Sequence, residues 1–213
     1  MHTRWTVVVM GIGLLGMPLG AAAKDAPVAY AALPASLQPS MSMRAVGPAE
    51  RSTILLDRLA NAYTTPKAIA AFLKQDFTFK RDEELFGEVD HWQTPEEFAA
   101  RKAGDCEDYA LLSQALLRRN GIEAYVLSLF GEEGYAHTVT VFVDGNGRYN
   151  AINQDKLRTY RAKSLEALAS QLYPSWTSAM IAEQVGTRGR TVREIYNDHP
   201  APPLEDDFAL TGF

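Results

Sequence analysis

Apolar and polar positions along the chain follow two different periods, and the change from one to the other falls near residue 122. From Pro48 to Ala62, Ile54, Leu55, Leu59 and Ala62 recur every three to four positions, which predicts a helix with one buried side. Thr65-Pro66 opens a second helix, with Pro66 at the first helical position and Ile69, Phe72 and Leu73 on its apolar side. Phe77-Thr78-Phe79-Lys80 alternates and suits a short strand or an extended pass. Thr94-Pro95-Glu96-Glu97 has the parts of a capped helix start: a hydroxyl cap, proline at the first position and a glutamate to close the capping box. A mostly apolar helix is predicted from Cys106 to Arg119, with Asn120-Gly121 as its exit.

Beyond that exit the period becomes two. Glu123 to Phe130 reads as a strand, Gly131 to Gly134 as a turn, and Ala136 to Val143 as the antiparallel partner. Asp144-Gly145-Asn146-Gly147 is a hairpin turn of the kind that needs positive φ, and Arg148 to Asn153 returns as a third strand. After Asn153 the pattern weakens. Leu165 to Leu172 is helical and stops at Tyr173-Pro174, Ser175 to Gln184 is expected to be another helix, and Gly186 to Arg190 a flexible basic turn. The sum is an α+β domain with helices gathered on one side of a small antiparallel sheet.

The ends differ from this core. Arg4 precedes the apolar run Trp5 to Met17, then Pro18 and Ala21-Ala22-Ala23, a basic start, short apolar stretch and small-residue cleavage pattern. Residues 1–23 are therefore expected to be a signal peptide and the protein periplasmic or secreted, with no stable membrane span after processing; a retained anchor is the alternative. The absence of a cysteine near the cleavage pattern excludes a lipoprotein anchor. Residues 24–49 read as an Ala/Pro-rich linker, 50–196 as the folded domain, and 197–213 as a disordered acidic tail. Composition is that of a globular protein, 46% hydrophobic and 22% charged. A formal net charge of −5 without basic clusters argues against nucleic acid as a partner.

One cysteine, Cys106, stands where the mostly apolar helix begins, in Gly104-Asp105-Cys106-Glu107-Asp108-Tyr109. Asp105 is placed to cap the first turn and Asp108 to close the box, so backbone N–H groups and the helix dipole are expected to favour a thiolate. The plain alternative is a small buried hydrophobe. Against it, an unpaired thiol in an oxidising compartment is exposed to damage, and chemistry explains its presence there better than packing does. A cysteine nucleophile needs a base and a group that orients the base. Of the candidate histidines, His199 lies in the tail and His91 in the acidic loop from Arg81 to Trp92, most of whose charges are expected to be solvated. His137 begins a strand and shares its face with Val139, Val141 and Val143, which suits a core histidine or a base at a cleft edge. Asn153, at the end of the next strand, is the expected third member, with Asp155 as rival. Trp92, Tyr135 and Trp176 would wall a cleft, although each equally suits the core.

The sequence around Cys106, with the later His137 and Asn153, resembles the transglutaminase-like cysteine peptidase superfamily, and more narrowly the bacterial transglutaminase-like cysteine proteinases. The likeness covers about residues 50 to 160. It implies a papain-like core with the nucleophile heading a central helix packed on a small antiparallel sheet, and a cysteine peptidase or amidase acting on a protein or peptide substrate. Asn153 departs from the aspartate usual in the family. Members include periplasmic calcium-dependent proteases in which the acids flanking the nucleophile bind the metal, which implies Asp105 and Glu107 as Ca2+ ligands here; no organic cofactor is expected. Neutralisation by a hard cation would relieve the carboxylates crowded around the thiol, whereas the alternative leaves them as caps and a solvated charge. A non-catalytic calcium- or protein-binding domain and a transglutaminase-type acyl transferase are the other readings of the same residues.

Overall fold

The computed structural model describes residues 47–198. The expected signal peptide, nearly all of the expected linker, most of the expected tail and His199 lie outside the described residues. Helices α1 (Pro48–Ala62) and α2 (Pro66–Asp76) lead to the short strand β1 (Thr78–Phe79), the four-residue helix α3 (Asp82–Leu85) and helix α4 (Pro95–Arg101). Strand β2 (Ala103–Gly104) pairs in parallel with β1 and delivers the chain to helix α5 (Cys106–Arg119). Strands β3 (Ala124–Gly131), β4 (Ala136–Val143), β5 (Tyr149–Asn153) and β6 (Lys156–Ala162) follow, then helix α6 (Leu165–Leu172) and strands β7 (Trp176–Val185) and β8 (Arg188–Tyr196). The last six strands form one antiparallel sheet in the order β6-β5-β4-β3-β7-β8.

Local chemistry accounts for the helix starts. Thr65 accepts from the Ala68 N–H at 3.1 Å, and Thr94 and Glu97 complete the reciprocal capping box with bonds of 3.2 and 2.8 Å. The sheet sorts its side chains by alternation. Ala124, Phe142 and Ile152 face a core built with Leu112, Leu116 and Leu117 of α5 and with α1 and α2. Leu127, Leu129, Val139 and Val141 point the other way, onto Leu165, Leu168 and Ala169 of α6. Helices therefore cover both faces of the sheet, α5 on one and α6 on the other, and not one side alone.

Two expectations fail beyond Asn153. Trp176 to Gln184, expected to be helical, belongs to strand β7. Its buried residues are Trp176, Ala179 and Ala182, a spacing of three that reads as helical. A bulge at Phe130/Gly131 breaks the alternation and puts Trp176 on the α6 face, while Ala182 faces the opposite way. The basic turn is in fact the tip of the β7–β8 hairpin, with Gly186 at φ +60°, and Arg188 to Arg190 already belong to β8. Asn197, placed in the tail, is still held: its N–H donates to the Thr177 carbonyl at 2.9 Å and its Nδ2 to the Trp176 carbonyl at 2.8 Å.

Candidate functional site

Cys106 occupies the first position of α5 and is partly exposed. A network behind it fixes that position. Asp108, fully buried, accepts from the Gln93 N–H at 2.8 Å, from Gln93 Nε2 at 2.6 Å and from the Asp105 N–H at 3.3 Å. Gln93 in turn accepts from Arg101 Nε at 2.8 Å and donates to the Ala103 carbonyl at 3.0 Å. Gly104 is required by this packing, since a Cβ there would collide with Asp108 Oδ2 and lie 2.6 Å from Gln93 Nε2. Gln93 and Arg101 are site-forming residues that sequence reasoning missed. Neither belongs to a recognisable motif, and only Arg101 at the end of a capped helix hinted at a role.

The imidazole stands on β4. His137 Nε2–H donates to Asn153 Oδ1 at 2.8 Å, which fixes the tautomer and leaves Nδ1 with its lone pair. Asn153, not the rival Asp155, is the ring's partner. Ladder parity shows how the sulfur reaches this place. The Asp144 N–H bonds the Arg148 carbonyl, so alternate residues of β4, including Thr138, turn their N–H groups toward β5. Gln154, which would continue that ladder, lies at φ +52° where the chain turns away to β6. The released Thr138 N–H faces Cys106 Sγ and opposes the rise in the thiol's pKa. Sulfur thus lies against the residue next to His137, at the open end of β5. The other partner of Sγ is Glu107 Oε2 at 3.2 Å; thiol and imidazole are not bonded to each other.

Electrostatics around the sulfur overturn one expectation. The thiol is not shifted down by the helix start: burial, then the charges of Glu107 and Asp105, push it well above its ordinary value, with the Thr138 N–H opposing. Four acids crowd this end of α5. Burial raises Asp105 to about 6, Glu107 to about 10 and Asp108 to about 7, and raises Asp82 as well, hydrogen bonds from neighbours opposing in part. Most charges of the Arg81 to Trp92 loop are exposed as expected; Asp82 is the exception, 1% exposed and accepting from the His91 N–H. Burial lowers His137, keeping it neutral near pH 7, against the pull of Asn153.

Three groups of these side chains are close enough together to hold a cation. Asp105 with Cys106 and Glu107, Asp82 with Asp90 and Glu107, and Asp82 with Asp105 and Asp108 each bring ligand atoms within 4.8 Å of one another. Both oxygens of Asp108 are already taken. Asp82 Oδ1 and Asp105 Oδ1, in contrast, are buried without a hydrogen-bond partner, which leaves two anionic oxygens free for a hard cation. Of the remaining expectations, His91 stacks on Phe86 with ring centroids 3.9 Å apart and pairs with Glu88. Trp92 and Trp176 are core residues, 4% and 2% exposed. Tyr135 does line a cavity, one of about 230 Å3 that also touches His137 and Asn153.

Among solved structures the chain is similar to Legionella pneumophila LapG at 16% identity, covering 67% of this chain and 81% of that one, with a TM-score of 0.43. The calcium-bound form of LapG gives 16% identity, 80% and 94% coverage and the same score. A candidate cysteine protease of Cytophaga hutchinsonii gives 16% identity, 74% and 56% coverage and a TM-score of 0.40. No curated protein sequence matches the chain. The transglutaminase-like domain family matches residues 52–170, more than half of the sequence, and the protein belongs to that family.

Proposed function

We propose that the protein is a cysteine hydrolase of peptide or amide bonds in which Cys106 is the nucleophile, His137 the base and Asn153 the group that orients it. The observation carrying this reading is the His137 Nε2–Asn153 Oδ1 bond of 2.8 Å, which leaves Nδ1 as the proton acceptor on the residue next to Thr138, whose N–H faces Cys106 Sγ. Catalytic hydrogen bonds are often long or poorly aligned until substrate binds. The thiol proton passes to Nδ1 as Sγ attacks the carbonyl carbon. The S–C bond forms, the C–N bond breaks, and the imidazolium returns its proton to the leaving amine. Water then cleaves the thioester, His137 taking its proton, and releases the acid and the free thiol. Backbone N–H groups at the start of α5 stabilise the oxyanion in both halves.

Asp105 and Glu107, joined by Asp82, would hold a calcium ion, the two orphaned oxygens being the support for that choice. When bound, the ion supplies positive charge that offsets the carboxylates which otherwise hold the thiol protonated. Asp105 and Glu107 then cease to oppose proton transfer from Cys106. The amino-terminal pattern of residues 1–23 supports export to the periplasm or beyond, and among the described residues no helix is long and apolar enough to cross a membrane.

The test is hydrolysis of fluorescently labelled casein in calcium. Wild type should release fluorescent fragments and Cys106→Ala should release none while keeping its far-UV circular dichroism. Equal release by both proteins would refute the assignment.

A further inference from the structure

The cavity beside the imidazole has a chemical preference written into its walls. It lies on the α6 face of the sheet, where His137 of β4, Asn153 of β5, and Arg158 and Tyr160 of β6 line it together with Tyr135 and Leu172. Arg158 pairs with Ala151 in the β5–β6 ladder, and Tyr160 follows it by two residues on the same face. Arg158 is exposed, and among the described residues it forms no ion pair and no hydrogen bond. The acids of the site gather around the start of α5: Asp105, Glu107 and Asp108 at that helix end and Asp82 of α3 beside them. The two sides of the site are therefore opposite in charge, acidic at the nucleophile's helix and cationic beyond the imidazole.

A guanidinium at the mouth of a cavity, with aromatic neighbours and no carboxylate of its own, matches a planar carboxylate by paired N–H donors. The volume of about 230 Å3 admits one medium-sized side chain and not an extended segment. We propose that this cavity is the subsite for a side chain adjoining the cleaved bond, and that Arg158 makes the enzyme select aspartate or glutamate there. The inference rests on the hydrolase reading above and deepens it. Arg158 is a specificity-determining residue and takes no part in the proton transfers, so bonds flanked by neutral residues remain cleavable, more slowly.

The experiment is a mass-spectrometric cleavage profile of a synthetic peptide library, randomised on both sides of the cut, with wild type, Arg158→Gln and Arg158→Glu in calcium. Wild type should favour Asp or Glu over Asn or Gln about tenfold at one flanking position, the discrimination expected of a charge-assisted pair. Arg158→Gln should cut peptides with Asp or Glu at that position no faster than those with Asn or Gln, and Arg158→Glu should turn the preference toward Lys or Arg. Identical profiles for the three proteins would overturn the subsite while leaving the hydrolase standing. Absence of cleavage by wild type would remove both, and the casein assay separates the two cases.

Discussion

Among single residues, Asn153 is the one that orients the imidazole in the proposed mechanism. Its carboxamide fixes the ring by accepting from Nε2–H, yet carries no charge to stabilise an imidazolium. The ring is pushed toward its neutral form by burial, so in the proposed mechanism proton acceptance depends on orientation more than on basicity. Asn153→Ala should leave the fold intact and lower kcat by about 10²–10⁴-fold, the usual range for a misplaced general base. Measurement of kcat and KM separately checks this, and a rise in KM alone would assign Asn153 to substrate binding. The thiol carries the opposite lesson. Its place at a helix start suggested an easily ionised group, but burial and two adjacent acids outweigh the dipole, which acts only at the helix end and at most modestly.

Among the elements, β2 and the start of α5 form a single mount. Two residues of β2 end on Gly104, whose missing side chain leaves room for Asp108 and Gln93, and that packing sets where Cys106 emerges. Gly104→Ala should destabilise the protein by about 1–3 kcal/mol through overpacking, and should reduce turnover further than that loss explains. Chemical denaturation alongside a turnover assay at low temperature measures both. These elements were legible in the sequence because their signals are local: the Thr94 capping box, the apolar run after Cys106 and the Asp144 to Gly147 turn each act within a few residues. His137 and Asn153 could be named because one hairpin joins their strands. β7 was misread because its burial pattern is set by a bulge and by two neighbouring strands, neither visible in its own residues. Asp82, Gln93 and Arg158 were overlooked for a related reason, since their importance comes from partners or cavities assembled by tertiary structure.

For the whole molecule, a cluster of buried acids at one end of the fold ties stability to pH and, through the proposed metal site, to calcium. Asp82, Asp105, Glu107 and Asp108 all have raised folded-state values, so the stability they contribute is present below about pH 4, near their unfolded values. It is lost as pH rises through about 6 for Asp105 and about 7 for Asp108. His137, lowered, acts in the other direction: its contribution is present above about pH 6.5 and is lost as pH falls through its folded value. Four acids outweigh one histidine. In chelator the Tm should therefore fall between pH 5 and pH 7.5. At pH 7.5 calcium at roughly a hundred times its Kd should restore about 5–10 °C, and at pH 5, where protons compete for the same oxygens, less. Differential scanning calorimetry across this range checks both, and a Tm indifferent to calcium at pH 7.5 would dismiss the metal site.

The central claim is that sulfur and imidazole act as one unit, and the rate of Cys106 alkylation by iodoacetamide as a function of pH tests it most directly. With calcium present, wild type should react readily at pH 6 to 7, and His137→Ala should react only as pH approaches 9 and above. Superimposable profiles for the two proteins, both rising only in alkali, would contradict the account.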